Sequence, residues 1–183
     1  MDLSEAADAH PSRKGGVPRW MVAGLSAVTL FVAMPLVDFG VPWLLSLLGT
    51  RHGWTADGPG AWNLLGLVPI VVGELGVLWF AVTAMRHLHL LPERVRLGLT
   101  PQVLITTGPF AFSRNPRYLF AGTLWLGLAI FLGSIPILVV LAGGVLLVNY
   151  FVAREERTLE RQFGEVYLRY RSTVPRWLGR IRR

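Results

Sequence analysis

The chain has 183 residues and no cysteine, which excludes a disulfide framework and thiolate metal sites. Hydrophobic residues make up 52% and charged residues 16%, with a mean hydropathy of +0.48; a soluble domain carries about a quarter charged residues, so the deficit points to lipid. The net charge of +7 invites a nucleic-acid reading, which the distribution excludes, because the arginines flank apolar runs instead of lining a solvated helix face.

Residues 1–18 are polar and mixed and read as a disordered cytoplasmic arm, with residues 19–183 forming one membrane domain. The first apolar run, Trp20 to Val37, opens on a tryptophan suited to the headgroup boundary. Phe39 to Leu48 is apolar but interrupted by Gly40 and Pro42. Two readings stay open there: a kinked extension of the first span, or an interfacial segment. Arg51 to Gly60 is a Gly- and Pro-rich outer loop, and the second span runs from about Trp62 to Met85. Tyr118 to Leu132 and Ile135 or Pro136 to Ala153 form the third and fourth spans. Both are a little short of the roughly 20 residues that cross the hydrocarbon, which suits a tight pair turning at Gly133–Pro136. Pro136 falls in a first helical turn, where its missing N–H costs nothing. Neither helix carries the polar stripe of a soluble hairpin.

After the fourth span, a helix from about Arg154 to Tyr170 places Leu159, Phe163, Val166, Tyr167 and Tyr170 on one face, an amphipathic pattern. Trp177 with Arg180, Arg182 and Arg183 suits an anionic membrane surface. Charge then sets the orientation. Of the 18 basic residues, Arg51 alone falls on the outer side, the positive-inside pattern for four spans with both termini cytoplasmic. The first span is too long for a cleavable signal peptide and lacks a small-residue cleavage site after it. The expected location is a bacterial inner or plasma membrane.

Two polar features interrupt the lipid-facing background. One is Gly108-Pro109 followed by Arg114-Asn115-Pro116-x-Tyr118, at the cytoplasmic start of the third span. Gly108 can turn the chain, Pro116 opens the helix, Arg114 offers a planar fork for a carboxylate, and Asn115 both donates and accepts. The other is Glu155-Glu156, just past the fourth span. An antiparallel pair of spans brings these ends together, and a guanidinium facing a carboxylate suits a zwitterionic ligand such as an amino acid. Singly, the glutamates read as a solvated helix start and Arg114 as a positive-inside anchor; their convergence carries the functional reading. Glu74 is the acidic residue inside the second span, where such a group either meets a polar substrate or bonds a neighbouring helix. His87 and His89, just past that span, read as interfacial histidines or as proton acceptors.

The segments Thr107-Gly108-Pro109-Phe110 … Ser113-Arg114-Asn115-Pro116-x-Tyr118 and Glu155-Glu156-x-x-Leu159-x-x-x-Phe163-Gly164-x-x-Tyr167-x-x-Tyr170-x-x-x-Val174-Pro175 resemble the C-terminal core of the isoprenylcysteine carboxyl methyltransferase and phospholipid methyltransferase superfamily, over residues 102–178. The resemblance implies an all-α integral membrane bundle of about four transmembrane helices with a cytoplasmic cofactor loop and a C-terminal amphipathic helix. It implies S-adenosylmethionine as methyl donor and a lipophilic or lipid-linked acceptor, with membrane lipids as surroundings, no metal and no nucleic acid; oligomeric state stays open. Gln102, Val103, Leu104, Ile105, Gly108, Pro109, Phe110, Arg114, Asn115, Pro116, Arg117 and Tyr118 are then expected around the cofactor, with Glu155 in contact with it. Glu156 is the candidate base. Asn115 stands where the isoprenylcysteine enzymes have histidine, and Phe151 stands where they have a substrate-binding arginine. Arg154 is the candidate substitute for that arginine, about 300° around the helix from Phe151. Two other readings accompany this one: an NADPH-dependent membrane reductase of similar fold, and a non-catalytic membrane protein.

Overall fold

The computed structural model describes residues 17–90, 94–95 and 103–178. Gln102, the side chain of His89, most of the N-terminal arm and the Arg180, Arg182 and Arg183 cluster lie outside the described residues.

The first span is longer than its apolar run. Helix α1 (Arg19–Val28) passes through a wide π turn at Thr29–Ala33 into α2 (Met34–Ser46) without a break. Phe39–Leu48 therefore extends span one for most of its length. The wide turn ends two residues before Pro35, and a π turn is one way a continuous helix accommodates a proline that lacks an N–H donor and crowds the preceding turn. Helix α3 (Leu67–Arg86) follows a tight turn at Asn63–Gly66, and α4 runs Pro116–Leu132. Three helical stretches, Arg19–Ser46, Asn63–Arg86 and Ile135–Phe163, are long and apolar enough to cross a membrane, and α4 is a shorter apolar helix beside them. The outward surface is that of a membrane protein: Trp20, Leu25, Leu36, Val68 and Leu146 are all exposed.

Helix α5 (Ile135–Phe163) differs from the expected pattern, because the fourth span and the amphipathic helix are one continuous element. Nothing near Ala153–Arg154 breaks a helix; the break comes at Gly164, whose φ of +50° lies in the left-handed region, and α6 (Glu165–Thr173) follows.

Helices α3 and α4 pack with their backbones nearly touching. A Cβ on Gly127 would lie 2.6 Å from the Ile70 nitrogen and 2.7 Å from the Gly66 oxygen, and one on Gly73 would lie 2.5 Å from the Leu124 nitrogen. Lipid supplies no hydrophobic drive between helices, so close backbone approach through small residues is what joins them.

A cap closes the end of the bundle that carries residues 51–66. Carbonyls of the last turn of α4 are met by side chains: Trp54 Nε1 donates to Phe131 O at 2.8 Å, and Asn63 Nδ2 to Ile130 O at 2.9 Å. His52 N donates to Gly133 O at 2.9 Å, and the Arg51 guanidinium lies 4.8 Å from the Trp43 ring and 5.3 Å from that of Trp54. At the opposite end, Val17–Pro18 pairs antiparallel with Arg94–Val95, tying the start of α1 to the segment after α3.

Candidate functional site

The loop before α4 is positioned from both sides. Gly108 adopts φ +62°, and a Cβ there would lie 2.9 Å from Thr83 Oγ1 on α3. The Thr83 carbonyl accepts from His87 Nδ1 at 2.8 Å, so His87 Nε2 is free to accept from Thr107 Oγ1 at 3.2 Å. His87 thus fastens the loop to the end of α3. The aromatic rings of Phe80 and Phe110 lie 5.7 Å apart, and Trp79 stacks on Phe112 at 5.8 Å.

From the other side comes the tail after α6. Arg114 N donates to Pro175 O at 2.9 Å, Ser113 Oγ and Asn115 Nδ2 both donate to Arg176 O at 3.2 Å, and Tyr170 OH donates to Phe110 O at 2.8 Å. Residues 175–176 therefore form a strap across the Arg-Asn-Pro loop, built largely from backbone carbonyls.

The structure brings the two polar features together. Glu156 is buried between two guanidinium groups. Its Oε1 accepts from Arg114 Nε at 3.0 Å with Arg114 Nη2 also at 3.0 Å, and its Oε2 accepts from Arg176 Nε at 3.1 Å and from Arg176 Nη2. Arg114 Nη1 donates to Arg171 O at 3.0 Å. One carboxylate between two arginines leaves the cluster with a net positive charge. Its hydrogen bonds to Glu156 hold the Arg176 guanidinium above its ordinary pKa.

Beside this cluster lies a cavity of ≈ 180 Å³, lined by Val103, Leu104, Ile105, Phe110, Arg114, Asn115, Glu155, Glu156, Leu159, Tyr167 and Tyr170. The Tyr167 hydroxyl is buried without a hydrogen-bond partner among the described residues. Burial, with the charge of Glu156 adding to it, pushes that hydroxyl up to about 12, and burial raises Tyr170 as well.

Other candidate residues lie elsewhere. Gly108, Pro109 and Pro116 shape the loop and are absent from the cavity wall. Arg154 is exposed, its guanidinium 5.9 Å from the Tyr150 ring. Arg117 and Tyr118 face a second, larger space: a groove of ≈ 750 Å³ running along α4 and α5, with Asp38, Leu126, Val140, Val145, Asn149 and Trp177 in its wall. Trp177 Nε1 donates to Asn149 Oδ1 at 3.1 Å. Two links connect the walls of cavity and groove. Tyr118 in the groove is within electrostatic reach of Glu155 in the cavity, and Arg176 on the cavity side is followed by Trp177 on the groove side. Sequence reasoning gave Asp38, Tyr167, Arg176 and the groove no part in the site. Tyr167 was legible as a member of an amphipathic face, whereas the other three carried no local signal.

The profile of the phospholipid methyltransferase family matches residues 63–166, from the turn before α3 through α3, the loop, α4, α5 and the start of α6. The chain belongs to this family. An uncharacterized protein of Haemophilus influenzae is 45% identical over 62 residues, covering 33% of this chain and 87% of that protein. No solved structure matches. Family and fold together make this a membrane protein of the methyltransferase class.

Proposed function

We propose that the protein transfers a methyl group from S-adenosylmethionine to the polar end of a lipophilic or lipid-linked acceptor. The observation that carries this reading is the pairing of two unlike spaces: a small cavity with charged groups in its wall, and a larger, mainly apolar groove whose Tyr118 is within electrostatic reach of the cavity's Glu155. A soluble zwitterionic donor and a membrane-dissolved acceptor need such a pair of spaces.

The cavity's residues fit the donor. The positive Arg114–Glu156–Arg176 cluster suits the carboxylate of its methionine part, and Glu155 suits its ammonium or ribose hydroxyls. Phe110 and the apolar wall of Val103, Leu104 and Ile105 suit the adenine, and the orphaned Tyr167 hydroxyl suits a ligand hydrogen bond. When bound, S-adenosylmethionine supplies a sulfonium methyl open to in-line displacement. The chain's own contribution is alignment and exclusion of water. Both Glu156 oxygens are engaged by guanidinium nitrogens, so we assign Glu156 a positioning role in place of a base. Arg117 and Tyr118 are assigned to the acceptor side. The distribution of basic residues supports cytoplasmic termini, with the cavity opening to the cytoplasm of a bacterial inner or plasma membrane.

Titration of the detergent-purified protein with S-adenosylhomocysteine, with NADPH in parallel, tests the reading. Saturable binding of S-adenosylhomocysteine, weakened about tenfold or more in Glu155→Gln, is the expected result. Binding of NADPH alone would make the protein a reductase, and binding of neither would make it non-catalytic.

A further inference from the structure

Helix α5 leaves its apolar run at Tyr150–Arg154. Tyr150 and Phe151 are exposed, and Arg154 is the first charge after them, its guanidinium facing the Tyr150 ring. Exposed aromatic rings beside an arginine mark the headgroup layer of a membrane. The strap is fixed at this same level. Trp177 Nε1 donates to Asn149 Oδ1 at 3.1 Å, about one helical turn before Arg154 and so roughly 7 Å from it along the axis. Leu178, the last described residue, is exposed. Beyond it the sequence reads Gly179-Arg180-Ile181-Arg182-Arg183, and from Arg176 onward no residue is acidic. An extended chain spans at most about 3.6 Å per residue, which keeps Arg180 within about 11 Å of Trp177 and Arg183 within about 22 Å. A tryptophan set in the headgroup layer therefore tethers these arginines beside it. Two glutamates on the stretch of α5 beyond Arg154 are already taken: Glu156 by Arg114 and Arg176, and Glu160 by Arg171.

We propose that residues 178–183 dock on anionic phospholipid headgroups of the leaflet in which α5 ends, and that this docking steadies the strap over the Arg114-Asn115 loop. A juxtamembrane arginine is drawn to an anionic surface by about 1 kcal/mol, and the attraction fades within a Debye length of about 10 Å. Tethering at the boundary brings the tail to that range, and a zwitterionic headgroup, with no net charge, gives no such attraction. The link from tail to cavity is short. Arg176, directly before Trp177, donates to Glu156, while the Pro175 and Arg176 carbonyls accept from Arg114 N, Ser113 Oγ and Asn115 Nδ2. Arg114, Asn115 and Glu156 stand in the cavity wall. Holding the far end of the strap on the membrane removes freedom that a ligand entering the cavity otherwise has to freeze, so lipid and cofactor bind cooperatively. Linkage then requires the cofactor to tighten lipid docking by the same factor. The cooperativity rests on the proposed reading of the cavity as the cofactor's site; the docking does not.

The chain lacks cysteine, so a bimane label on Leu178→Cys reports on this position alone. The labelled full chain is placed in nanodiscs of pure phosphatidylcholine, or of phosphatidylcholine and phosphatidylglycerol in equal parts. Acrylamide quenching of the label should fall about threefold in the anionic discs, and high salt should restore it. With Arg180→Gln/Arg182→Gln/Arg183→Gln added, quenching should be the same in both discs. S-adenosylhomocysteine, titrated into unlabelled protein in the same discs, should bind about fivefold more tightly in the anionic ones, and the triple variant should bind it equally in both. Quenching that ignores lipid charge overturns the docking, as does a lipid effect that survives in the triple variant or in high salt. A lipid effect on quenching with equal S-adenosylhomocysteine affinities overturns the coupling to the cavity. Absence of S-adenosylhomocysteine binding in either disc overturns the methyltransferase reading instead, and the quenching still decides the docking.

Discussion

Helix α4 has two faces that behave oppositely. Toward α3 it is sealed, with Gly127 set so close that a Cβ would meet Ile70 N at 2.6 Å, whereas a Cβ on Gly122, on the groove side, would meet nothing within 4 Å. Both glycines sit in the same apolar helix, so composition does not distinguish them. The lesson is that one face has been closed by backbone contact to hold the bundle, while the other is left unfilled along α5. A tightly joined α3–α4 pair is the rigid frame against which an open groove can be kept.

The largest effect is expected at the charged cluster beside the start of α4. Arg114→Ala leaves Glu156 buried with half its partners gone, which should cost about 3–5 kcal/mol in thermal unfolding and abolish S-adenosylhomocysteine binding. A variant that binds like wild type would separate the cavity from the cluster. Next comes the sealed face. Gly127→Ala forces two backbones apart and should destabilise by about 1–3 kcal/mol in the same assay. Gly122→Ala should do the reverse, raising stability by up to about 1 kcal/mol through helix propensity, since its new methyl enters open groove. Equal destabilisation by the two substitutions would mean the groove is closed in the membrane. Absent near neutral pH, and so last, is a pH effect. Folded Tyr167 holds its proton to about 12, against 10.0 for the free group, so above pH 10 the unfolded chain binds fewer protons than the folded one. Stability should therefore fall as pH rises through that window, and Tyr167→Phe should lessen the fall in a melting series.

Much of this arrangement was legible in the sequence. Hydropathy and charge alternation gave the membrane bundle, and the antiparallel logic of the last two spans brought Arg114 toward the double glutamate. The illegible parts share a physical reason. The strap over the loop works through the carbonyls of Pro175 and Arg176, joined by that of Arg171 in α6, and backbone atoms leave no trace in residue identity. The α3–α4 seam divides its glycines between two helices that are apolar all round, so no face announces itself. The segment with Gly40 and Pro42 carries residues that normally end helices, yet α2 continues through them to Ser46. Finally, Asp38 pairs with a residue 79 positions away, beyond any local pattern.

The strap has one more consequence. Arg176 and Trp177 are neighbours in the chain, yet the first reaches into the charged cavity and the second lines the lipid groove. A single peptide link therefore joins a residue of the charged cluster to a residue of the groove wall. A movement of the strap backbone would carry both side chains with it, because the amide between them is planar. Trp177 is thus placed so that its emission, read in a variant lacking the other six tryptophans, would report a shift of the strap when a ligand enters the cavity.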